Sequence, residues 1–150
     1  MQIKPKLDNY VLLKEQNKKT LLKKVNAAKK KNLLVVFEPA SEDLLRFALE
    51  KTAVDMVVGM EKINPKDHTH YPRSGLDQVT CKIAALKGKT ILFNLNDVSN
   101  SVNKGKLIAR MRLNIRLCKK YKVKMLFTDF STERTVADLT SFYRTIEKSS

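Results

Sequence analysis

The chain has no tryptophan and, in 150 residues, four glycines, four prolines, two cysteines and two histidines. Each shortage closes off a class of function. Four scattered glycines cannot build the G-x-G-x-x-G or Walker A loops that let backbone amides approach a nucleotide's phosphates. Cys81 and Cys118 lack C-x-x-C spacing and fall in helix-like stretches, so they read as two buried thiols rather than a disulfide or a metal clip. Aromatics make up 7% of the chain, and Phe37, Phe93 and Phe127 sit in apolar strand-like runs, which does not suit a platform for stacking single-stranded bases. The apolar runs LLVVF and VDMVVGM are strand-sized, well short of the ~18 residues of a membrane span. The opening MQIKPKLDNY carries no signal-peptide core. The expectation is a cytoplasmic protein with no membrane partner.

Acidic residues are scarce as well. Fifteen Asp and Glu stand against thirty Lys and Arg, a net charge of +15 and an isoelectric point near 9.9. That much self-repulsion opposes compactness unless a polyanion neutralises it, which makes nucleic acid the first partner to consider. Hydrophobic content of 43% with 30% charged residues is that of a globular protein rather than a disordered tail. One domain, residues 1–150, is expected from the length and from the lack of any linker-like shift in composition.

What the chain does have is alternation. Strand-like runs at YVLLKE (10–15), LLVVFE (33–38), VDMVVGM (54–60), TILFNL (90–95) and MLFTDF (125–130) are separated by helical periodicity. The helices read as NKKTLLKKVNAAKKK (17–31), SEDLLRFALEKTA beginning at the Ser41 cap, and SGLDQVTCKIAALKGK beginning at Ser74. Lys104 to Lys122 is the longest, and TVADLTSFYRTIEK closes the chain. Five strands alternating with helices imply right-handed βαβ units and a parallel sheet. An eight-stranded barrel needs ~250 residues, so the expected class is α/β, an incomplete or truncated TIM-like barrel.

Positive charge is concentrated rather than scattered. Residues 104–124 hold nine basic side chains and no acid. On a helical wheel Leu107, Ile108, Met111, Ile115 and Cys118 form an apolar arc, while Arg112, Arg116, Lys119 and Lys120 share the opposite one. Like charges at i,i+4 cost ~0.2–0.5 kcal/mol each, and a merely solvated face normally mixes signs. One signed stripe suits phosphate contacts, arginine contributing a planar fork. The lysines of residues 17–31 favour diffuse attraction, or are simply a solvated face.

Both histidines fall in KDHTHYPRSGLDQV, residues 66–79. His-x-His behind an aspartate opens the active site of some metal-dependent phosphoesterases, and a barrel-type enzyme using His68 and His70 is the alternative reading. Such a site needs several more ligands, and only Glu38, Asp55, Glu61 and Asp129 lie near strand ends. The other reading is a loop between Gly59 and the following helix, from which Arg73 reaches RNA at the mouth of the sheet. Lys82 on that helix and Arg134 beyond MLFTDF join the candidate face, with Lys66 and His70 as lesser candidates. FTDFSTER offers no histidine to activate a hydroxyl, so no catalytic residue is assigned.

The order of features resembles the archaeal ribonuclease P protein component 3 family, the subunit family shared with the eukaryotic ribonuclease P and MRP particles. A helix with Gly75, Val79, Lys82 and Ala84 leads to the strand TILFNL. A helix carrying Arg110, Arg112, Asn114, Leu117, Lys120 and Tyr121 follows, and then the strand MLFTDF. The likeness runs over roughly residues 33–146 and is most specific from Ser74 to Phe130. Gln78 departs from a histidine common there, and the chain is short where relatives carry further barrel strands. The resemblance implies a non-catalytic, RNA-binding subunit that supports a catalytic RNA in removing the 5′ leader from precursor tRNA. The candidate RNA contacts are then Arg110 from the matched helix pattern together with Arg73, Lys82, Arg112, Arg116, Lys119, Lys120 and Arg134 from the charge pattern. The resemblance also implies three partners: the ribonuclease P RNA, precursor tRNA, and the small ferredoxin-like component 2 with other subunits. Mg²⁺ would belong to the RNA, and the chain would bind no cofactor of its own.

Overall fold

Strands β1 (Gln2–Ile3), β2 (Tyr10–Leu13), β3 (Leu34–Phe37), β4 (Met56–Val58), β5 (Thr90–Asn94) and β6 (Lys124–Thr128) form one six-stranded sheet in the order β1-β6-β5-β4-β3-β2. Every neighbouring pair is parallel. These elements come from a computed structural model that describes residues 2–3, 7–70, 72–130 and 136–148. Between the strands lie α1 (Lys18–Lys30), α2 (Glu42–Lys51), α3 (Gln78–Lys87), α4 (Leu95–Asn100), α5 (Lys104–Tyr121) and α6 (Val136–Lys148), with a short 3-10 turn at Met60–Lys62.

From β2 to β6 the strands lie side by side in chain order, with no reversal, so there is no switch point of the doubly wound kind. The burial pattern shows why. Alternate strand residues point to opposite faces. Val35, Phe37, Val57, Ile91, Phe93, Met125 and Phe127 join the helices in the large core. Val36, Val58, Leu92 and Leu126 face the other way and, among the described residues, cluster with Leu7, with Tyr10, Leu34, Met56 and Phe130 at their margin. A parallel sheet with helices outside and a small plugged interior is barrel geometry. Among the described residues β1 and β2 are not hydrogen-bonded to each other, so the ladder stays open there. The Tyr10 and Phe130 rings, 5.5 Å apart, span the inner face near that opening. The expected incomplete barrel is what the chain forms.

Three local expectations are corrected. A sixth strand, β1, pairs Gln2 with Leu126 and Ile3 with Phe127, being too short to show any period. The residues after Asn94 continue as α4, whose first turn Asn94 caps by accepting from the Asn96 amide at 3.1 Å. Helix α3 starts at Asp77 rather than Ser74: Asp77 and Thr80 make a reciprocal capping box, while Ser74 bonds Leu76. Gly75 just ahead holds φ +83°, and a Cβ there would lie 2.3 Å from the Met60 carbonyl oxygen. Only glycine allows that approach. The two cysteines are buried free thiols, one on α3 and the other on α5, helices that pack against each other.

Candidate nucleic-acid interface

Helix α5 is amphipathic in a way that splits its own arginines. Arg110 follows Leu107 by three positions and precedes Asn114 by four, which sets it on the arc facing inward. It is 3% exposed. Its Nε donates to Asp67 Oδ1 at 2.7 Å and its Nη1 donates to the carbonyls of Glu61 and Asn64. Asn114, fully buried, donates from Nδ2 to Glu61 Oε1 at 2.9 Å and to the Ser74 carbonyl at 3.1 Å. Together they tie the long loop after β4 to α5. Arg110 is therefore turned inward, its Nε and Nη1 engaged with the chain's own oxygens, unlike the exposed Arg116, Lys119 and Lys120.

Asp67, not either histidine, is the working residue of the 66–79 segment. Its carboxyl accepts the Arg73 amide at 2.9 Å as well as Arg110. The amide and then the guanidinium hold it below the usual aspartate range. His68 and His70 are both exposed. Among the described residues no group of three His, Cys, Asp or Glu side chains gathers in metal-binding geometry.

Arg112 is half-buried and donates from Nε to the Ile146 carbonyl at 2.6 Å, serving the C-terminal turn of α6. Arg116, Lys119 and Lys120 lie exposed on the outer arc. Among the described residues no carboxylate pairs with Arg116 or Lys120, and Lys120 Nζ sits 5.4 Å from the centre of the Tyr121 ring. Lys82 is exposed on α3. Arg73 is half-buried beside His68, Ser74 and Leu113 at the rim of a cavity of about 410 Å³. Arg134 lies outside the described residues.

The lysine-rich α1 behaves differently. Lys18 pairs with Asp43 at 2.9 Å, Lys24 with Glu15, and Lys29 with Asp55. Its charge is partly balanced by the chain's own acids, as on an ordinary solvated face. Lys19, Lys23, Lys30 and Lys31 stay exposed there with no carboxylate paired to them among the described residues, so α1 carries a second, lysine-only cationic face in addition to that of α5.

Sequence reasoning missed Glu61 and Asn114 as a buried pair and Asp67 as the partner of Arg110. Asn114 offered a signal, a polar residue between Met111 and Cys118 on the apolar arc, where burial demands a partner. Nothing local announces Asp67.

No known family profile matches the chain, and no curated protein matches it by sequence. Solved structures do. A chain of an archaeal ribonuclease P, determined by cryo-electron microscopy with mature tRNA, superposes with a TM-score of 0.78 at 22% identity, over 91% of this chain and 58% of that one. The class this defines is an α/β chain with the fold of an incomplete parallel barrel. The particle whose subunit family the motifs of residues 74–130 resemble is also one in which this fold is found. The chain spans 58% of the length of that neighbour.

Proposed function

We propose that this chain is an RNA-binding protein subunit of ribonuclease P, of the component 3 type, supporting the catalytic RNA in tRNA 5′ maturation. The observation that carries the reading is the exposed cationic arc of Arg116, Lys119 and Lys120, on a fold shared with a chain of the archaeal particle. Phosphates repel one another when RNA packs tightly, and fixed cations at helical spacing offset that repulsion without any nucleophile. The cleavage chemistry, with its Mg²⁺, then belongs to the RNA, and this chain contributes affinity and shape. The partners on this reading are the ribonuclease P RNA, precursor tRNA and the ferredoxin-like component 2. Lys82 and Arg73 flank the main arc, and Arg112 contributes field more than contact because its Nε is engaged.

The test is the double variant Arg116→Glu, Lys120→Glu, assayed against the ribonuclease P RNA across a salt series. Each lost phosphate contact lowers the slope of log affinity against log salt by about one, so a drop of about two is expected. Both side chains are exposed, so the circular dichroism spectrum stays unchanged. Unaltered affinity and slope would overturn the proposal.

A further inference from the structure

Helix α1 carries no acid along its whole length, KKTLLKKVNAAKK, and Lys31 follows at its C-cap. Leu21, Val25 and Ala28 face the core, and at ~100° per residue the lysines divide around that buried stripe. Lys18, Lys24 and Lys29 fall on its flanks. Each meets an acid of a neighbouring element there: Asp43 of α2, Glu15 beyond β2, and Asp55 ahead of β4. Lys19, Lys23 and Lys30 fall directly opposite the stripe and are exposed. Among the described residues no carboxylate pairs with them.

Folding thus uses three lysines as tethers and leaves a row of one sign pointing outward. That row weakens the helix. Lys18 and Lys19 stand at the positive end of the dipole with no acid in the first turn to offset them. Lys19 and Lys23 repel at i,i+4. A solvated face gains from mixed signs, whereas a row of cations is stabilised when a polyanion lies along it. From Lys19 to Lys30 the row runs ~16 Å along the axis, long enough to meet several phosphates of one backbone. A nucleic-acid backbone fits it better than a protein does. Between the lysines lie only Asn26 and Ala27, with Leu22 off to one side, so the apolar centre of a protein interface is lacking.

The row is separate from the α5 surface. Helix α1 packs on β2 and β3, whereas α5 packs on β6 and α3. Between them lies α2, which carries both signs, Glu42, Asp43 and Glu50 against Arg46 and Lys51. Strands β3 and β6 are three spacings apart in the sheet, about 14 Å at ~4.8 Å each, and the outer helices of a curved sheet spread wider still. That exceeds the ~10 Å over which charges interact at 0.1 M salt. The two faces therefore attract polyanions independently.

We infer that α1 is a second RNA-binding face, and that one molecule of this chain holds two RNA backbones at once, one along α5 and one along α1. This rests on the RNA-binding reading and extends it. A single face attaches the chain to RNA; two faces on different flanks fix two RNA segments relative to each other. Lysine ammonium groups on flexible stems suit such a contact, which follows charge rather than sequence.

The experiment counts, by native mass spectrometry of the whole chain, how many short RNA hairpins one molecule binds. Two are expected for the wild type, one for Lys19→Glu, Lys23→Glu, Lys30→Glu, and two again for Lys19→Arg, Lys23→Arg, Lys30→Arg. All three side chains are exposed, and an acid in the first turn suits the dipole. The fold is therefore kept, read from an unchanged circular dichroism spectrum. One hairpin on the wild type, or two retained by the charge-reversed variant, overturns the inference. The same variant assigns the second backbone. A salt slope for the ribonuclease P RNA lowered by about three places both segments in that molecule; an unchanged slope with precursor tRNA no longer recruited places the second on the tRNA. Neither change would overturn the inference as well. Failure of the α5 reading shows separately, as hairpin binding indifferent to Arg116→Glu, Lys120→Glu but lowered by the α1 variant. That result leaves α1 as an RNA face and overturns its pairing with α5.

Discussion

Glu61 holds a carboxyl where water scarcely reaches, 2% exposed and pressed between the loop and α5. Burial pushes its pKa up to about 7 from an ordinary 4.5, against the pull of the Asn114 hydrogen bond. The group therefore keeps its proton in the folded state while the unfolded chain releases it. Stability is complete below pH ~4.5, falls as pH rises toward 7, and stays low above that, the whole change being roughly 3 kcal/mol. Among the described residues Asn114 Oδ1 has no hydrogen-bond partner in its buried position, and a protonated Glu61 offers an O–H on the same side chain that Asn114 already meets. Glu61→Gln keeps the acceptor for Asn114 Nδ2 and adds a permanent N–H donor. The variant should match the wild type near pH 4.5 and exceed it at pH 8 by up to about 3 kcal/mol, measured by urea denaturation at both values. A variant no more stable at pH 8 would contradict this account. Arg110 teaches a related lesson at the same scale. Its charge was legible in the sequence, but its direction was not, because the partner that draws it inward, Asp67, sits in a distant loop.

Helices were the most readable elements, since their caps and apolar periods are local. Asn17 caps α1, Ser41 caps α2 and Asn103 caps α5, each side chain accepting from an amide of the first turn. The start of α3 was placed too early because Ser74 and Asp77 both make plausible caps, and only the packing of Gly75 against Met60 decides between them. Strand β1 was unreadable for a related reason: two residues carry no periodicity, and only the register with Leu126 and Phe127 defines it. Of the candidate interface, the outer arc at Arg116, Lys119 and Lys120 was legible from helical spacing, whereas the tethers of Arg110 and Arg112 depend on tertiary partners. The C-terminus of α5 offers a test. Lys122 closes it in a left-handed conformation, φ 58° and ψ 43°, with its amide bonded to the Cys118 and Lys119 carbonyls. Glycine enters that region without strain. Lys122→Gly should raise the melting temperature by a few degrees, about 1 kcal/mol in stability, and leave RNA affinity nearly unchanged in a filter-binding assay.

At the scale of the whole molecule, thirty basic residues against fifteen acids give a surface at odds with itself. The class of fold was legible because continuous apolar strands alternating with amphipathic helices leave few architectures open. Closure was not, since it depends on whether the edges of β1 and β2 meet, and no residue pattern encodes that. Repulsion among the cations makes a global prediction. Raising the ionic strength from ~10 mM, where charges interact over ~30 Å, to ~100 mM, where screening sets in at ~10 Å, should raise the melting temperature. Heparin at low salt should do the same by supplying a polyanion. A melting temperature that falls with added salt would show instead that the internal ion pairs dominate. The sheet order has a consequence for synthesis. Because the first strand pairs with the last of those described, β1 emerges from the ribosome long before its partner exists. Its backbone donors and acceptors must wait, solvated, until Lys124–Thr128 has been made, so the sheet is finished only after nearly the whole described chain has left the exit tunnel.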